Sequence, residues 1–286
     1  VLIEEKDDRY TEPTHRMVFL KNDRFLWFSD RDGWNHLYQY TFDGKLVKQI
    51  TKGNWPVIED FGLDAKEQNI FFMTNKDNPV DQYLYSVNIA TGKLTNLTPK
   101  SGVHTILMSD DKTCFFDYFS NLHTPLQIYA GSSDGKNLKM IKESKNPYGD
   151  TELGRDTIFS LKNAHGDDLY CEMIFPPHFD KSQKYPCLVY VYGGPHSQLV
   201  TNTFMTAGTF LNYMAQKGYI VFVLDNRGTS NRGAEFEKCI HRQLGVLESE
   251  DQMVGINYLK SLPFINKDRI GIDGWSFGGF MTLTMV

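Results

Sequence analysis

From Arg24 to Ile141 the chain reads as short aromatic and β-branched runs set between polar turns, the alternation expected of half-buried strands. Three stretches repeat the same order of features: "RFLWFSDRDGWNHLYQYTFDGKLVKQIT", "NIFFMTNKDNPVDQYLYSVNIATGKLTNLT" and "TCFFDYFSNLHTPLQIYAGSSDGKNLKMI". Each has an aromatic strand, a polar turn and a second strand around Leu37-Tyr38, Leu84-Tyr85 or Ile128-Tyr129. A Gly-Lys hairpin at Gly44, Gly92 or Gly135 follows. Tyr38, Tyr85 and Tyr129 are 47 and 44 residues apart. A period near 45 residues with about four strands per repeat is the signature of β-propeller blades. Three blades fall short of the four or more that close a ring, so further blades are expected ahead of Val1.

Past Thr151 the pattern changes. "TIFSLKNAHG" and "DDLYCEMIFPP" read as an antiparallel hairpin, whereas "PCLVYVYGG" and "YIVFVLDNRG" are nearly continuous apolar runs typical of strands buried on both faces. Between them "TFLNYMAQKG" has helical spacing and a glycine where the helix should stop. In "ESEDQMVGINYLKSLP", Ser249 stands three residues before Gln252. That spacing suggests a capping box, with an apolar face at Met253, Ile256, Tyr258 and Leu259 and a stop at Pro263. "DRIGIDGWS" supplies another buried strand. Buried strands alternating with helices predict a doubly wound α/β sheet.

Composition narrows the function classes. The 286 residues hold 30 Lys plus Arg against 35 Asp plus Glu, with no basic stripe, which argues against a nucleic-acid partner. The longest apolar run is far short of the roughly 20 residues of a membrane span. Cys114, Cys171, Cys187 and Cys239 show no zinc-like spacing; Cys171 and Cys187 fall in apolar runs and read as buried thiols. No metal or cofactor is expected. "VLIEEKDDRYTEP" lacks an initiator Met and a targeting pattern, so the natural N-terminus is expected elsewhere.

The chemistry is concentrated at the other end. Gly274-Trp275-Ser276-Phe277-Gly278 follows a buried strand and precedes small-residue helical sequence, the strand–turn–helix setting of a nucleophile elbow. Glycines flanking Ser276 let strand and helix approach closely enough to expose the serine Oγ. A serine needs a base, itself oriented by an acid, and in α/β-hydrolases both follow the nucleophile. After Ser276 there is only "FGGFMTLTMV", and all eight histidines precede it. His196, beside "YGGP", reads as a loop histidine. The Phe277 backbone N–H is one expected oxyanion donor, and the loop after "LVYVYGGP" should supply another.

With "PPHFDKSQKYP", "VYGGP", "DNRGT", "RQLG" and "GWSFGG" in hand, the chain resembles the dipeptidyl peptidase IV family of the prolyl oligopeptidase group over nearly its whole length. The resemblance implies a fold: the C-terminal blades of a β-propeller over residues 1–145. The N-terminal part of an α/β-hydrolase domain then spans 146–286, ending just after the elbow. It also implies a serine exopeptidase that releases Xaa-Pro or Xaa-Ala dipeptides from free N-termini. Ser276 is then the nucleophile and Tyr192 the side-chain oxyanion donor, while Phe277 stands where the family has a tyrosine walling the proline pocket. Trp275 is a substrate-binding neighbour, or only a packing residue. Asp225 and Arg227 fix a strand-end turn. The catalytic Asp and His, and the glutamate pair that holds the substrate ammonium, fall outside the chain, which is expected to be a fragment inactive by itself. Glu4-Glu5 and Glu248/Glu250 read as solvated charge, the second pair favourably placed at a helix N-terminus. A homodimeric parent in an extracytoplasmic location, periplasmic or cell-surface, is also implied. An acylaminoacyl peptidase or oligopeptidase of the same group, and a non-catalytic binding homologue, remain open alternatives.

Overall fold

The computed structural model describes residues 1–12, 16–149, 151–205 and 208–286. The chain forms two compact units, one of Val1–Lys145 with Asn231–Lys238, the other of Asn146–Ser230 with Cys239–Val286.

The first unit holds three four-stranded antiparallel sheets, each with its strands in chain order. They comprise β1 (Met17–Leu20), β2 (Arg24–Ser29), β3 (His36–Thr41) and β4 (Leu46–Gln49); β5 (Glu59–Leu63), β6 (Asn69–Thr74), β7 (Tyr83–Asn88) and β8 (Leu94–Asn96); and β9 (Val103–Met108), β10 (Cys114–Asn121), β11 (Thr124–Ser132) and β12 (Lys139–Glu143). Successive side chains of a strand point to opposite faces, and β6 uses both. Ile70 and Phe72 join Leu26, Leu37 and Trp55 in one core, while Phe71 and Met73 join Leu97 and Phe115 in another.

The repeat is legible in hydrogen bonds as well as in tyrosines. The Leu37 N–H donates to Thr51 Oγ1 at 2.9 Å, and 47 residues later the Leu84 N–H donates to Thr98 Oγ1 at 2.8 Å. Gly44, Gly92 and Gly135 all have positive φ, at 85°, 72° and 74°, which is why each third-strand hairpin carries glycine at the same place. Each sheet also has a first strand lying ahead of the repeated segments.

The expected solvation of Glu4-Glu5 holds for only one of the two. Glu5 is not solvated: its carboxylate accepts from Trp27 Nε1 at 2.8 Å and Ser29 Oγ at 3.0 Å, and it pairs with Arg31. Glu4 is exposed and pairs with Lys6. A short helix, α2 (Ala234–Lys238), also belongs to this unit, where the Ala234 N–H donates to Gly33 O at 2.8 Å. Buried Lys238 bridges Asp7 and Asp30 at 3.0 and 2.6 Å. Nothing in the hydropathy pattern marked this segment.

The second unit is a five-stranded sheet in the order β13-β14-β16-β15-β17. The expected hairpin is β13 (Asp156–Lys162) with β14 (Asp168–Ile174); β15 (Tyr185–Tyr190), β16 (Ile220–Leu224) and β17 (Ile265–Asp273) are mutually parallel. Helix α1 (Gly208–Gln216) ends before Gly218 at φ 85°, the left-handed stop that its sequence suggests. Helix α3 (Val246–Ser261) begins earlier than expected. Its N-cap is Gly245, whose N–H donates to the Glu248 carboxylate at 3.0 Å, so the Ser249/Gln252 pair caps nothing. Its buried face is Glu248, Asp251, Gln252, Gly255 and Leu259, whereas Met253 is exposed. At Gly255 an added Cβ would meet the Phe222 ring at 2.7 Å, so the glycine lets helix and sheet approach.

Glu172, in β14, is buried and neither of its carboxylate oxygens has a hydrogen-bond partner. Burial, with the nearby charges of Asp156 and Asp225, pushes its carboxyl up to about 8. The folded chain therefore holds a proton that the unfolded chain releases near the ordinary glutamate range, so this group lowers stability as pH rises toward 8. Its contribution falls by on the order of 1 kcal/mol per pH unit in that window. Glu172→Gln, which cannot ionise, should raise Tm at pH 8 and differ little from wild type at pH 4.5. Equal Tm values at both pH values would contradict this protonation state.

Candidate active site

Parallel pairing sets β15 beside β17, with Tyr190 opposite Asp273, and the Val191 N–H continues the ladder to Asp273 O at 2.9 Å. The segments leaving these two strands therefore start side by side at the carboxyl edge of the sheet, where open α/β sheets place their ligands. From β17 the chain turns through Gly274-Trp275-Ser276 into α4 (Phe277–Met285). From β15 it enters Tyr192-Gly193-Gly194-Pro195.

Ser276 stands at φ 58°, ψ −118°, a conformation that L residues adopt only where the surroundings enforce it. The enforcing contacts are backbone. A Cβ added at Gly274 would fall 2.5 Å from Val191 O, and one at Gly278 only 2.1 Å from the same oxygen. Strand, helix and neighbouring strand end are packed at glycine distance, and the serine is left exposed on the turn. The turn is closed by the Gly278 N–H to Trp275 O and the Gly279 N–H to Ser276 O, both 2.9 Å. Phe277 opens the helix, so its N–H has no intrahelical acceptor.

The Tyr192 and Phe277 rings lie 6.1 Å apart between centroids, and Phe277 also meets Phe280 at 5.2 Å. At Gly194 an added Cβ would reach the Phe277 ring at 2.7 Å and the Tyr192 ring at 3.0 Å. Loop and elbow thus interlock through Tyr192, Gly194 and Phe277. Trp275 is 81 % exposed, which leaves it little packing within this unit. His196 is an exposed loop residue at φ 58°. Among the described residues, no cluster of three or more His, Cys, Asp or Glu is arranged to hold a metal ion.

Beneath the loop lies a buried polar layer that the hydropathy pattern did not show. Asp225 accepts from the Leu199 and Val200 N–H groups at 2.9 and 2.8 Å. Arg227, 7 % exposed, donates from its backbone N–H, Nε and Nη2 to Asp251, each at 2.8 Å, and from Nη2 to Glu250 at 3.2 Å. These bonds hold its guanidinium above the ordinary arginine range. Asn163 Nδ2 reaches the same aspartate at 3.2 Å. Glu248 is wholly buried, and that burial raises its carboxyl. The solvated reading therefore fails for Glu248, which caps α3 from inside at the helix N-terminus, whereas Glu250 is exposed and pairs with Arg227. The signal was present as spacing, since positions 248, 251, 252, 255 and 259 form one helical stripe made of polar and small residues.

Residues 1–126 match the family model for the dipeptidyl peptidase IV N-terminal region, and residues 206–286 match that of the prolyl oligopeptidase family. The chain belongs to the dipeptidyl peptidase IV family. It is 36% identical to human dipeptidyl peptidase 8 over 82% of its length and 28% of that protein's. To a probable dipeptidyl peptidase 4 of Aspergillus flavus it is 31% identical, over 92% of this chain and 35% of the other. The crystal structure of a putative dipeptidyl aminopeptidase IV from Bacteroides ovatus superposes with TM-score 0.90 at 35% identity, over 98% of this chain and 43% of that one. Porphyromonas gingivalis dipeptidyl peptidase 4 gives 0.89 at 30% identity, over 98% of this chain and 40% of that one. The chain spans about a third of the length of the curated relatives it matches. Its three sheets are blades of a β-propeller, and its second unit is the early part of an α/β-hydrolase fold.

The elbow glycines differ in a way that can be measured. Gly278→Ala drives a methyl into Val191 O and should cost about 1–3 kcal/mol. Gly279 has only Gly274 O near its Cβ direction, at 3.5 Å, so Gly279→Ala should leave stability unchanged or raise it by less than about 1 kcal/mol. Equal denaturation midpoints for the two variants would contradict the close contact.

Proposed function

We propose that this chain is part of a serine exopeptidase that releases Xaa-Pro or Xaa-Ala dipeptides from peptides with free N-termini. Residues 1–145 supply its last propeller blades, and residues 146–286 the beginning of its catalytic domain. The observation that carries this is Ser276: an exposed serine at φ 58° on a strand-to-helix turn, closed by Gly274 and Gly278 against the Val191 carbonyl. The similarity to proteins named as dipeptidyl peptidases favours dipeptide release as the reaction.

In this reading Ser276 Oγ attacks the carbonyl carbon of the second substrate residue. Its proton passes to a histidine, oriented by an aspartate, from sequence outside these 286 residues. The tetrahedral oxygen accepts hydrogen bonds from the Phe277 N–H and the Tyr192 hydroxyl. Donors of this kind contribute about 2.7–4 kcal/mol each where the charge develops. Collapse expels the shortened peptide as its amine and leaves the dipeptide esterified to Ser276. Water then attacks the ester and frees the dipeptide and the serine. The half-buried Phe277 ring offers the substrate proline an apolar wall, and Trp275, exposed beside it, is available to the substrate chain. No cofactor takes part. The 286 residues by themselves should be inactive, since a serine without its base loses most of its advantage. The parent is a homodimer in an extracytoplasmic compartment. Among the described residues no helix is long and apolar enough to cross a membrane.

The test uses the full-length protein and two chromogenic substrates, Gly-Pro-p-nitroanilide and its N-blocked counterpart. Cleavage of only the free-amine substrate, lost in Ser276→Ala by at least about 10³-fold, is the expected result. Preference for the blocked substrate would assign the parent to an acylaminoacyl peptidase or oligopeptidase activity. Cleavage of neither by a folded protein would leave a binding homologue.

A further inference from the structure

Gly193, the second residue of the loop beside the elbow, has φ 72°, and its carbonyl is held by a single side chain. That side chain is Asn226, from the segment leaving β16, the strand on the other side of β15. Asn226 is wholly buried and uses both amide hydrogens, donating from Nδ2 to Gly193 O at 2.9 Å and to Arg227 O at 2.6 Å.

The direction of these bonds is fixed by a second amide. Gln252 Nε2 donates to Leu224 O and to Asn226 Oδ1, both at 2.9 Å. A backbone carbonyl only accepts, so Gln252 must turn its NH₂ toward Leu224 and Asn226. Asn226 then offers Oδ1 to Gln252 and Nδ2 to Gly193. The fit is close on both sides: a Cβ at Gly193 would fall 2.6 Å from Asn226 Oδ1. Gln252 is in turn rooted in α3 next to Asp251, which Arg227 grips by three hydrogen bonds.

We infer that Asn226 is a positioning residue for the oxyanion loop: through the Gly193 carbonyl it fixes the backbone that presents Tyr192 and Gly194 to the elbow. This rests on the reading of Ser276 as nucleophile. Asn226 touches neither Ser276 nor Phe277 in any hydrogen bond or ring contact, so its effect passes through the loop alone. Removing its donor leaves the Gly193 carbonyl buried without a partner, and the loop must shift to satisfy it. Oxyanion donors act only when already in place, so the loss appears in the chemical step more than in substrate binding.

The test compares Asn226→Ala, Asn226→Ser and Met173→Ala in the full-length protein, with Gly-Pro-p-nitroanilide kinetics at 25 °C and Tm for each. Met173 is a buried residue of β14 away from the loop, so its truncation lowers Tm without touching the loop. Asn226→Ala should lower kcat by about 100-fold, the scale of an ångström-sized misplacement, with KM changed less than about 3-fold. Asn226→Ser, a milder lesion, should move kcat in the same direction and carries the test if the alanine variant does not fold. Met173→Ala should keep wild-type kcat. An active wild type whose Asn226 variants keep kcat, or lose no more than Met173→Ala at a similar Tm, would overturn this inference alone. A folded wild type without activity would overturn the reading of Ser276, and this inference with it.

Discussion

The arrangement of the second unit turns on one oxygen atom. The Val191 carbonyl lies where a side chain at either Gly274 or Gly278 would have to go, at 2.5 and 2.1 Å from the would-be Cβ atoms. Because both positions are glycine, the end of β15 can lie against the β17–α4 turn at backbone distance. This contact forces Ser276 into positive φ and exposes it. The same contact brings Tyr192 within ring contact of Phe277. A nucleophile candidate and the loop beside it are therefore positioned by one steric fact.

A second constraint keeps that loop from relaxing. Loops that leave parallel strands carry backbone groups that no ladder satisfies. Here they are satisfied from below by buried side chains: Asp225 for the Leu199 and Val200 N–H groups, Asn226 for the Gly193 carbonyl, and Asp251 for the Arg227 N–H. A buried charge is costly unless paired and fully hydrogen-bonded. Asp251 meets that condition with four donors from Arg227 and Asn163. Glu172, a strand residue of the same sheet, does not, and it is held neutral instead.

Much of this is legible in the sequence itself. The blade period was readable because Leu37-Tyr38 and Leu84-Tyr85 recur with glycines whose positive φ the hairpin requires. The elbow was readable because Gly274, Ser276 and Gly278 follow a buried strand. What escaped has a common cause. The inner face of α3 is built largely of Glu248, Asp251 and Gln252, residues that a hydropathy reading sends to solvent, so the helix starts earlier than expected and, of its expected apolar face, Leu259 alone is fully buried. Asn226 and Gln252 act through hydrogen bonds between segments far apart in sequence, which no local pattern encodes. Helix α2 escaped because its key side chain is Lys238, buried only through two aspartates some two hundred residues earlier.

Activation of Ser276 is the central claim, and covalent labelling reaches it without assuming any substrate. The full-length protein would be treated with a diphenyl phosphonate or fluorophosphonate, digested, and its peptides weighed by mass spectrometry. A stoichiometric adduct on the peptide carrying Ser276, absent after prior unfolding, is the result expected of a nucleophile activated by its folded surroundings. A folded protein that takes up no label, or carries it on another serine, would contradict the account.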